Sequence, residues 1–347
     1  MYLLDLNKLQ VGDIILQSGD TKIVSDLIKK ITNSDYSHAM IYVDFTLIHA
    51  VTGGVFSKNP QRILVKGKND LKVLRIRNEV NSSTIETVAD FARSLIGSLY
   101  SKREAIAAVN CGENKIANNK QFCSRLVAQC YDSQGISLVE NTDYCTPEDL
   151  NTSPILIEVN DCVRAAEPAD LEMNERKDPN LEHQKETFKW LKNARNLFKK
   201  EGIEIQTLND VDQGLIDNRK LDKRICKYIE KTKYLEQYST DRVANKYRYK
   251  MTDFLERLNS DPNQQEFISQ EIKLNEGEVN RHSKNFAIAN KNYKQSKLKF
   301  AKLNKKLHRN VLLESKTRLT VIEQALSIGL DKSNVKSLIN QIDETLG

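Results

Sequence analysis

The residues of this chain best suited to covalent chemistry are one cysteine and two distant histidines. Cys123 lies in Gln121-Phe122-Cys123-Ser124-Arg125-Leu126-Val127-Ala128-Gln129-Cys130-Tyr131. The spacing of Leu126, Val127 and Cys130 predicts a helix with one buried face, ended by Gly135. Cys123 then falls in the first turn. Unpaired N–H groups and the positive end of the helix dipole favour a thiolate there, so the expectation is a thiol ionising below its free pKa of about 8.5. Such a nucleophile needs a base, and the only histidines in the first half of the chain are His38 and His49.

Both sit in Tyr36-Ser37-His38-Ala39-Met40-Ile41-Tyr42-Val43-Asp44-Phe45-Thr46-Leu47-Ile48-His49-Ala50. β-Branched and aromatic side chains predict strands over 37–43 and 46–51 around a tight turn at Asp44-Phe45. If Val43 pairs with Thr46, Met40 faces His49 and His38 faces Val51. The imidazoles are then diagonal neighbours on one face, roughly 7–8 Å apart and within side-chain reach. A helix-start cysteine facing a histidine that a second polar group orients is the arrangement of a nucleophile, its base and an orienter.

The flanking elements follow from pattern. Val11 to Gln17 reads as a strand led by a turn at Gly12-Asp13, with Asp13 as a turn or capping residue in preference to a catalytic carboxylate. Thr21 to Ile31 reads as a short amphipathic helix. Gly53-Gly54 and Pro60 predict a mobile connection lining the cleft. Leu71 to Arg77 alternates as a strand, Ser83 with Glu86 signals a capped helix, and Ile155 to Val159 is a last strand. A few helices on a small, largely antiparallel sheet make an α+β domain.

Four blocks, Gly12-Asp13-Ile14-Ile15, Tyr36-Ser37-His38-Ala39-Met40-Ile41, Phe122-Cys123-Ser124 and Thr146-Pro147-Glu148-Asp149-Leu150, resemble the permuted papain-like amidases, the YaeF/YiiX-like branch of the NlpC superfamily. Each block is short; the specificity lies in four of them in the family's order, with the histidine before the cysteine. The resemblance covers about residues 10 to 160. It implies a permuted papain-like (NlpC-type) fold with Cys123 as nucleophile, His38 as base and a polar residue on the next strand as orienter. Many relatives have Glu-Ala there, whereas this chain has His49-Ala50; lipid-acting members of the wider superfamily also use a second histidine. Tyr36 and Tyr100 are the candidate substrate-binding residues, Tyr100 because the equivalent region of relatives supplies part of the pocket. No cofactor and no metal are expected.

Composition divides the chain of 347 residues. Residues 1–165 carry a net charge of −1 and residues 166–347 one of +7, which together make the +6 of the whole. The expected organisation is a hydrolase domain over 1–165, a linker over 166–180 marked by Pro168 and Pro179, and an all-α helical bundle or coiled coil over 181–347. Helices are expected at about 181–200, 212–239, 241–259, 264–309 and 311–328, and at 333–346 after Asp331. Phe286, Tyr293, Phe300, Leu303 and Leu307 keep near-heptad spacing. The six cysteines show no metal-like spacing; five lie in the first part, an odd count that fits a reducing compartment. Cys130 and Cys111 read as inert. No signal peptide or apolar span is evident, so the expectation is a cytoplasmic protein as synthesised, and delivery by a specialised secretion system would leave no mark in such a sequence.

The function expected is a cysteine-dependent acyl hydrolase, an amidase or peptidase working through an acyl-enzyme. The runner-up is a phospholipid acyl hydrolase or acyltransferase using the same residues, and a third reading is a helical interaction protein without activity. Partners expected are a peptide or acyl-lipid substrate and, for the C-terminal helices, a protein partner, self-association or an anionic membrane surface. The lysines between 291 and 309 read first as a solvated helix face, and nucleic acid is not an expected partner.

Overall fold

The structure is a computed structural model that describes residues 1–18, 35–101, 105, 121–326 and 332–347. The helix expected over 21–31, Cys111 and the cap expected at Asp331 lie outside these residues. The chain forms two compact units, Met1–Gln184 with Ile205–Asp210, and Lys185–Glu204 with Val211–Gly347.

The first unit is α+β, with a mostly antiparallel framework and few helices. Its strands are β1 (Tyr2–Leu4), β2 (Ile14–Gln17), β3 (His38–Tyr42), β4 (Leu47–Val51), β5 (Gly54–Lys58), β6 (Leu71–Ile76), β7 (Leu156–Glu158) and β8 (Val163–Ala165). Six form one sheet in the order β5-β4-β3-β2-β6-β7, and β1 pairs with β8. Its helices among the described residues are α1 (Ser82–Ser94), α2 (Cys123–Asp132), α3 (Pro147–Asn151) and α4 (Pro168–Glu175).

Both faces of the central strands are buried, which is why Ile14-Ile15-Leu16 and Ala39-Met40-Ile41-Tyr42 read as unbroken apolar runs. One face, with Ile14, Leu16, Ala39, Ile41, Ile48 and Ala50, packs on Leu126, Val127 and Cys130 of α2 and on α1. The other, with Ile15, Met40, Tyr42, Leu47 and Val73, packs on Leu4 and Ile63.

Asp13 is fully buried and serves the fold. Its carboxylate accepts from Arg75 Nε at 2.6 Å and Arg75 Nη2 at 2.7 Å, and from the N–H of Gln10 at 2.7 Å. Gly12 beside it has φ +93°, and a Cβ there would stand 2.9 Å from the Tyr131 hydroxyl that donates to its own carbonyl. This ties the β2 turn to α2 and accounts for Gly-Asp in the first sequence block.

Several elements differ from expectation. Gly54, after a turn at Gly53, opens a strand, β5, where a mobile connection is predicted; Val55, Phe56 and Lys58 ladder with β4 across the sheet edge. The cap of α1 is Asn81, whose side chain accepts from Ser83 N–H at 2.9 Å, in place of the Ser83 box. The stretch 166–180 holds α4 and is bound to the first unit. Arg164 grips Asp170, Asn174 donates to Gln61 O at 2.9 Å, and Arg62 donates to Arg176 O at 2.9 Å.

The second unit is helical: α5 (Pro179–Lys199, whose first residues belong to the first unit), α6 (Leu208–Asp217, likewise begun there), α7 (Asp222–Glu230), α8 (Thr240–Ala244), α9 (Met251–Asn259), α10 (Gln264–Ser296), α11 (Lys299–Ala325) and α12 (Ser333–Leu346). The helix expected over 212–239 breaks after Asp217 and again after Glu230. The one expected over 264–309 breaks at Lys297, which adopts a left-handed φ of 55°. Asp222 then caps the new helix, accepting from Lys299 N–H at 2.7 Å and Phe300 N–H at 2.9 Å. Phe286 and Tyr293 therefore belong to one helix and Phe300, Leu303 and Leu307 to the next. At the centre of this unit Arg318 is buried against Asn275, Asp241, Glu278 and Ser315.

Replacing Asp13 by Ala leaves the Arg75 guanidinium and the Gln10 N–H without their acceptor, so the expected loss of stability is about 3–5 kcal/mol. Denaturant unfolding followed in the first unit measures it; a loss below about 1 kcal/mol would remove the structural role assigned to this carboxylate.

Candidate active site

The histidine hairpin folds as its turn dictates. Asp44 and Phe45 both have positive φ, 60° and 54°, the pair of left-handed residues a two-residue turn with the right twist requires. Val43 N–H donates to Thr46 O at 2.7 Å, and the ladder continues through Tyr42–Leu47 and Ile41–Ile48. There it stops. The expected pairs Met40–His49 and His38–Val51 are not laddered, because β3 and β4 part toward the histidine end. The side chains meet all the same: His38 Nε2 lies 2.9 Å from His49 Nδ1, with ring centroids 5.2 Å apart at 75°.

Cys123 is the first residue of α2. Phe122 before it is extended and no side chain caps this end, so the first-turn N–H groups retain their capacity to bind an anion. The start of the helix is clamped from outside. Ser124 Oγ donates to Cys145 O at 2.6 Å, Arg125 Nε donates to Asp143 O at 2.8 Å, and the Arg125 guanidinium stacks on the Phe122 and Tyr144 rings.

The sulfur lies where β3 and β4 part. Along β3 the N–H groups of residues 43, 41 and 39 point to the same edge. The first serves the hairpin, while the N–H of Ala39 faces the Cys123 thiol and, with those of Cys123 and Ser124 and the Ser124 hydroxyl, favours its anion. A thiol at that N–H is within a side chain's length of residue 38, whose Cα is two bonds away. Strand alternation gives the rings the side of Met40 and Leu47 and gives α2 the side of Ala39 and Ala50. Thiol and ring can therefore meet only through this gap, and they are not hydrogen-bonded to one another here.

Electrostatics correct one expectation. Burial pushes the Cys123 thiol up, and the facing N–H groups only partly offset it. Burial first, then the charge of Lys58, lowers His38 to about 4; burial, His38 and Lys58 hold His49 well below its ordinary value. Desolvation outweighs the helix dipole because the thiol is 6% exposed. The resting pair is a neutral thiol and a neutral imidazole.

Of the two tyrosines, Tyr100 is the one on which Cys123 acts. It bridges to Gln121, packs near Phe122 and Tyr144, and its hydroxyl is raised by burial and by Cys123. Tyr36 packs at the margin of the core that contains Cys123, its hydroxyl raised chiefly by burial. Lys58 and Asp178, whose charges reach this region, are missing from the sequence reading. Cys130 is fully buried. Among the described residues no three His, Cys, Asp or Glu side chains converge as a metal site requires.

Residues 8–148 match the model of a family described as the permuted papain-like amidase enzymes YaeF/YiiX, C92. Within the first unit, these residues resemble the permuted papain-like amidases. Among solved structures, the chain is similar to the crystal structure of metalloprotein yiiX from Escherichia coli O157:H7, with 20% identity, a TM-score of 0.36, and coverage of 44% of this chain and 97% of that one. No curated protein matches the sequence. The matched family supports a cysteine-dependent hydrolase, and no helix among the described residues is long and apolar enough to cross a membrane.

A neutral thiol reacts slowly with alkylating agents. Site-resolved mass spectrometry of iodoacetamide labelling should find Cys123 slow at neutral pH and accelerating only above the ordinary thiol pKa. Rapid labelling at pH 6 would mean a thiolate–imidazolium pair and contradict this charge state.

Proposed function

We propose that the first unit hydrolyses an amide bond through an acyl-enzyme on Cys123, with His38 as general base and His49 orienting it. What supports this reading is a helix-start thiol facing the N–H of Ala39, the residue after His38, together with the hydrogen-bonded pair of imidazoles that β3 and β4 carry. Nδ1 of His38 takes the thiol proton as sulfur attacks the carbonyl carbon. The C=O pair becomes an oxyanion held by first-turn N–H groups of α2. Collapse expels the amine, which takes the proton back from His38, and leaves a thioester. Water then attacks the thioester, His38 accepting its proton, and returns Cys123 as a thiol. Because both partners rest neutral, proton transfer accompanies attack.

His49 at the orienter's position favours a second reading, transfer or hydrolysis of a phospholipid acyl group, which proceeds through the same thioester with an alcohol leaving. Under either reading the helical unit is proposed to recruit a target or to self-associate. Its exposed Lys291, Lys294, Lys302, Lys306 and Arg309 would suit an anionic surface.

Wild type, Cys123→Ala and His38→Ala, incubated with peptidoglycan peptides and with mixed phospholipids and read by mass spectrometry, test this. The expected result is peptide cleavage by wild type, none by Cys123→Ala, and a rate about 10²–10⁴-fold lower for His38→Ala. Lipid products alone would replace amidase by acyl-lipid chemistry, and turnover surviving Cys123→Ala would overturn the nucleophile.

A further inference from the structure

A contact of 2.9 Å between two ring nitrogens needs one N–H and one lone pair, and the choice decides whether His38 can act as a base. If His38 Nε2 carries the hydrogen and His49 Nδ1 accepts it, Nδ1 of His38 is bare. If His49 Nδ1 carries it, as it must when His49 is an imidazolium, a neutral His38 is protonated on Nδ1 and cannot take a proton from sulfur there. The triad proposed above therefore depends on something that keeps His49 an acceptor.

That something lies on β5. In the β4–β5 ladder Leu47 pairs with Lys58 and His49 with Phe56, so Lys58 projects on the same face as His49, one diagonal step away. Its stem is half-buried. The chain beyond α4 is laid along this edge: Gln184 donates to Ser57 O, and Arg62, which donates to the carbonyls of Arg176 and Lys177, holds Asp178 at 3.8 Å. Asp178, only 13% exposed at its side chain, is the anion that acts on Lys58. Among the described residues, Gln17, which does not titrate, pairs with His38 from β2, the Cys123 thiol of α2 faces the N–H of Ala39, and Tyr36 on the approach to β3 packs against the core that holds Cys123. Among the described residues, the formal charge that acts on both rings is that of Lys58.

We propose that Lys58 is a positioning residue of the histidine pair: its ammonium, placed by β5 on the face of His49 and balanced by Asp178, makes His49 the hydrogen-bond acceptor and leaves Nδ1 of His38 as the basic nitrogen. A cation beside His49 opposes a second positive charge on it, and Asp178 limits how far. The inference rests on the triad reading, and it assigns the chain beyond α4 a part in the amidase site.

The test is an NMR titration of the histidine ring C–H signals in the full chain, assigned with His38→Gln and His49→Gln. In Lys58→Met both rings should titrate higher, by roughly one pH unit. Asp178→Asn should shift them the opposite way, and Lys58→Arg should leave them near wild type. Opposed shifts from two substitutions on one edge are not produced by loosened packing. If Lys58→Met and Asp178→Asn both leave the rings unmoved, or move them in the same direction, the assignment of Lys58 fails. The readout needs no turnover, so that failure leaves Cys123 and His38 untouched, whereas hydrolysis surviving Cys123→Ala removes the triad whatever the titration shows.

Discussion

The candidate site is organised on one hydrogen bond between two imidazoles, with His38 Nε2 and His49 Nδ1 2.9 Å apart. Protonating both rings would turn the contact of His38 with His49 from attraction to repulsion inside a half-buried site, so at least one must stay neutral, and the surroundings lower both. Burial is the largest cause at both rings, followed at His38 by Lys58 and at His49 by His38 and then Lys58. The hairpin supplies the geometry: two left-handed residues at its turn fix the register, and the parting of β3 from β4 opens the row of N–H groups in which Ala39 faces sulfur.

The same desolvation changes the role of the nucleophile helix. A cysteine at a helix start is commonly credited with a stabilised thiolate, yet at Cys123 the loss of water costs the anion more than the dipole and three facing N–H groups return. In the proposed reaction, the uncapped start of α2 serves instead the oxyanion that forms on substrate. The clamp made by Ser124, Arg125 and Asp143 fixes that end without capping it.

Much of this was legible in the sequence where the determinant is local. Asp44-Phe45 between two β-rich runs predicts the Val43–Thr46 pairing that forms, and the spacing after Gln121 predicts a helix with Cys123 in its first turn. What was not legible depends on partners far along the chain. Gly53-Gly54 reads as a loop until β4 offers Gly54 a ladder. Lys297 carries no helix-breaking side chain, and the break there is stabilised by Asp222 from another helix. Asp13 reads as a turn residue until Arg75 is known to face it. The charge state of Cys123 follows from burial, which no local pattern encodes. Lys58 stands next to Pro-flanked residues that suggest surface, and its counter-ion Asp178 lies in a stretch that reads as linker.

The second unit is organised on a different principle, with long antiparallel helices α10 and α11 around a buried network in which Arg318 and Arg248 are matched by Asp241, Glu271 and Glu278. For the first unit, the most direct measurement is the protonation pattern of the ring nitrogens, read from long-range proton–nitrogen spectra of histidine-labelled protein at neutral pH. The account predicts that His38 and His49 are both neutral, each protonated on Nε2 with Nδ1 bare. A His38 protonated on Nδ1, or an imidazolium at either position, would contradict it.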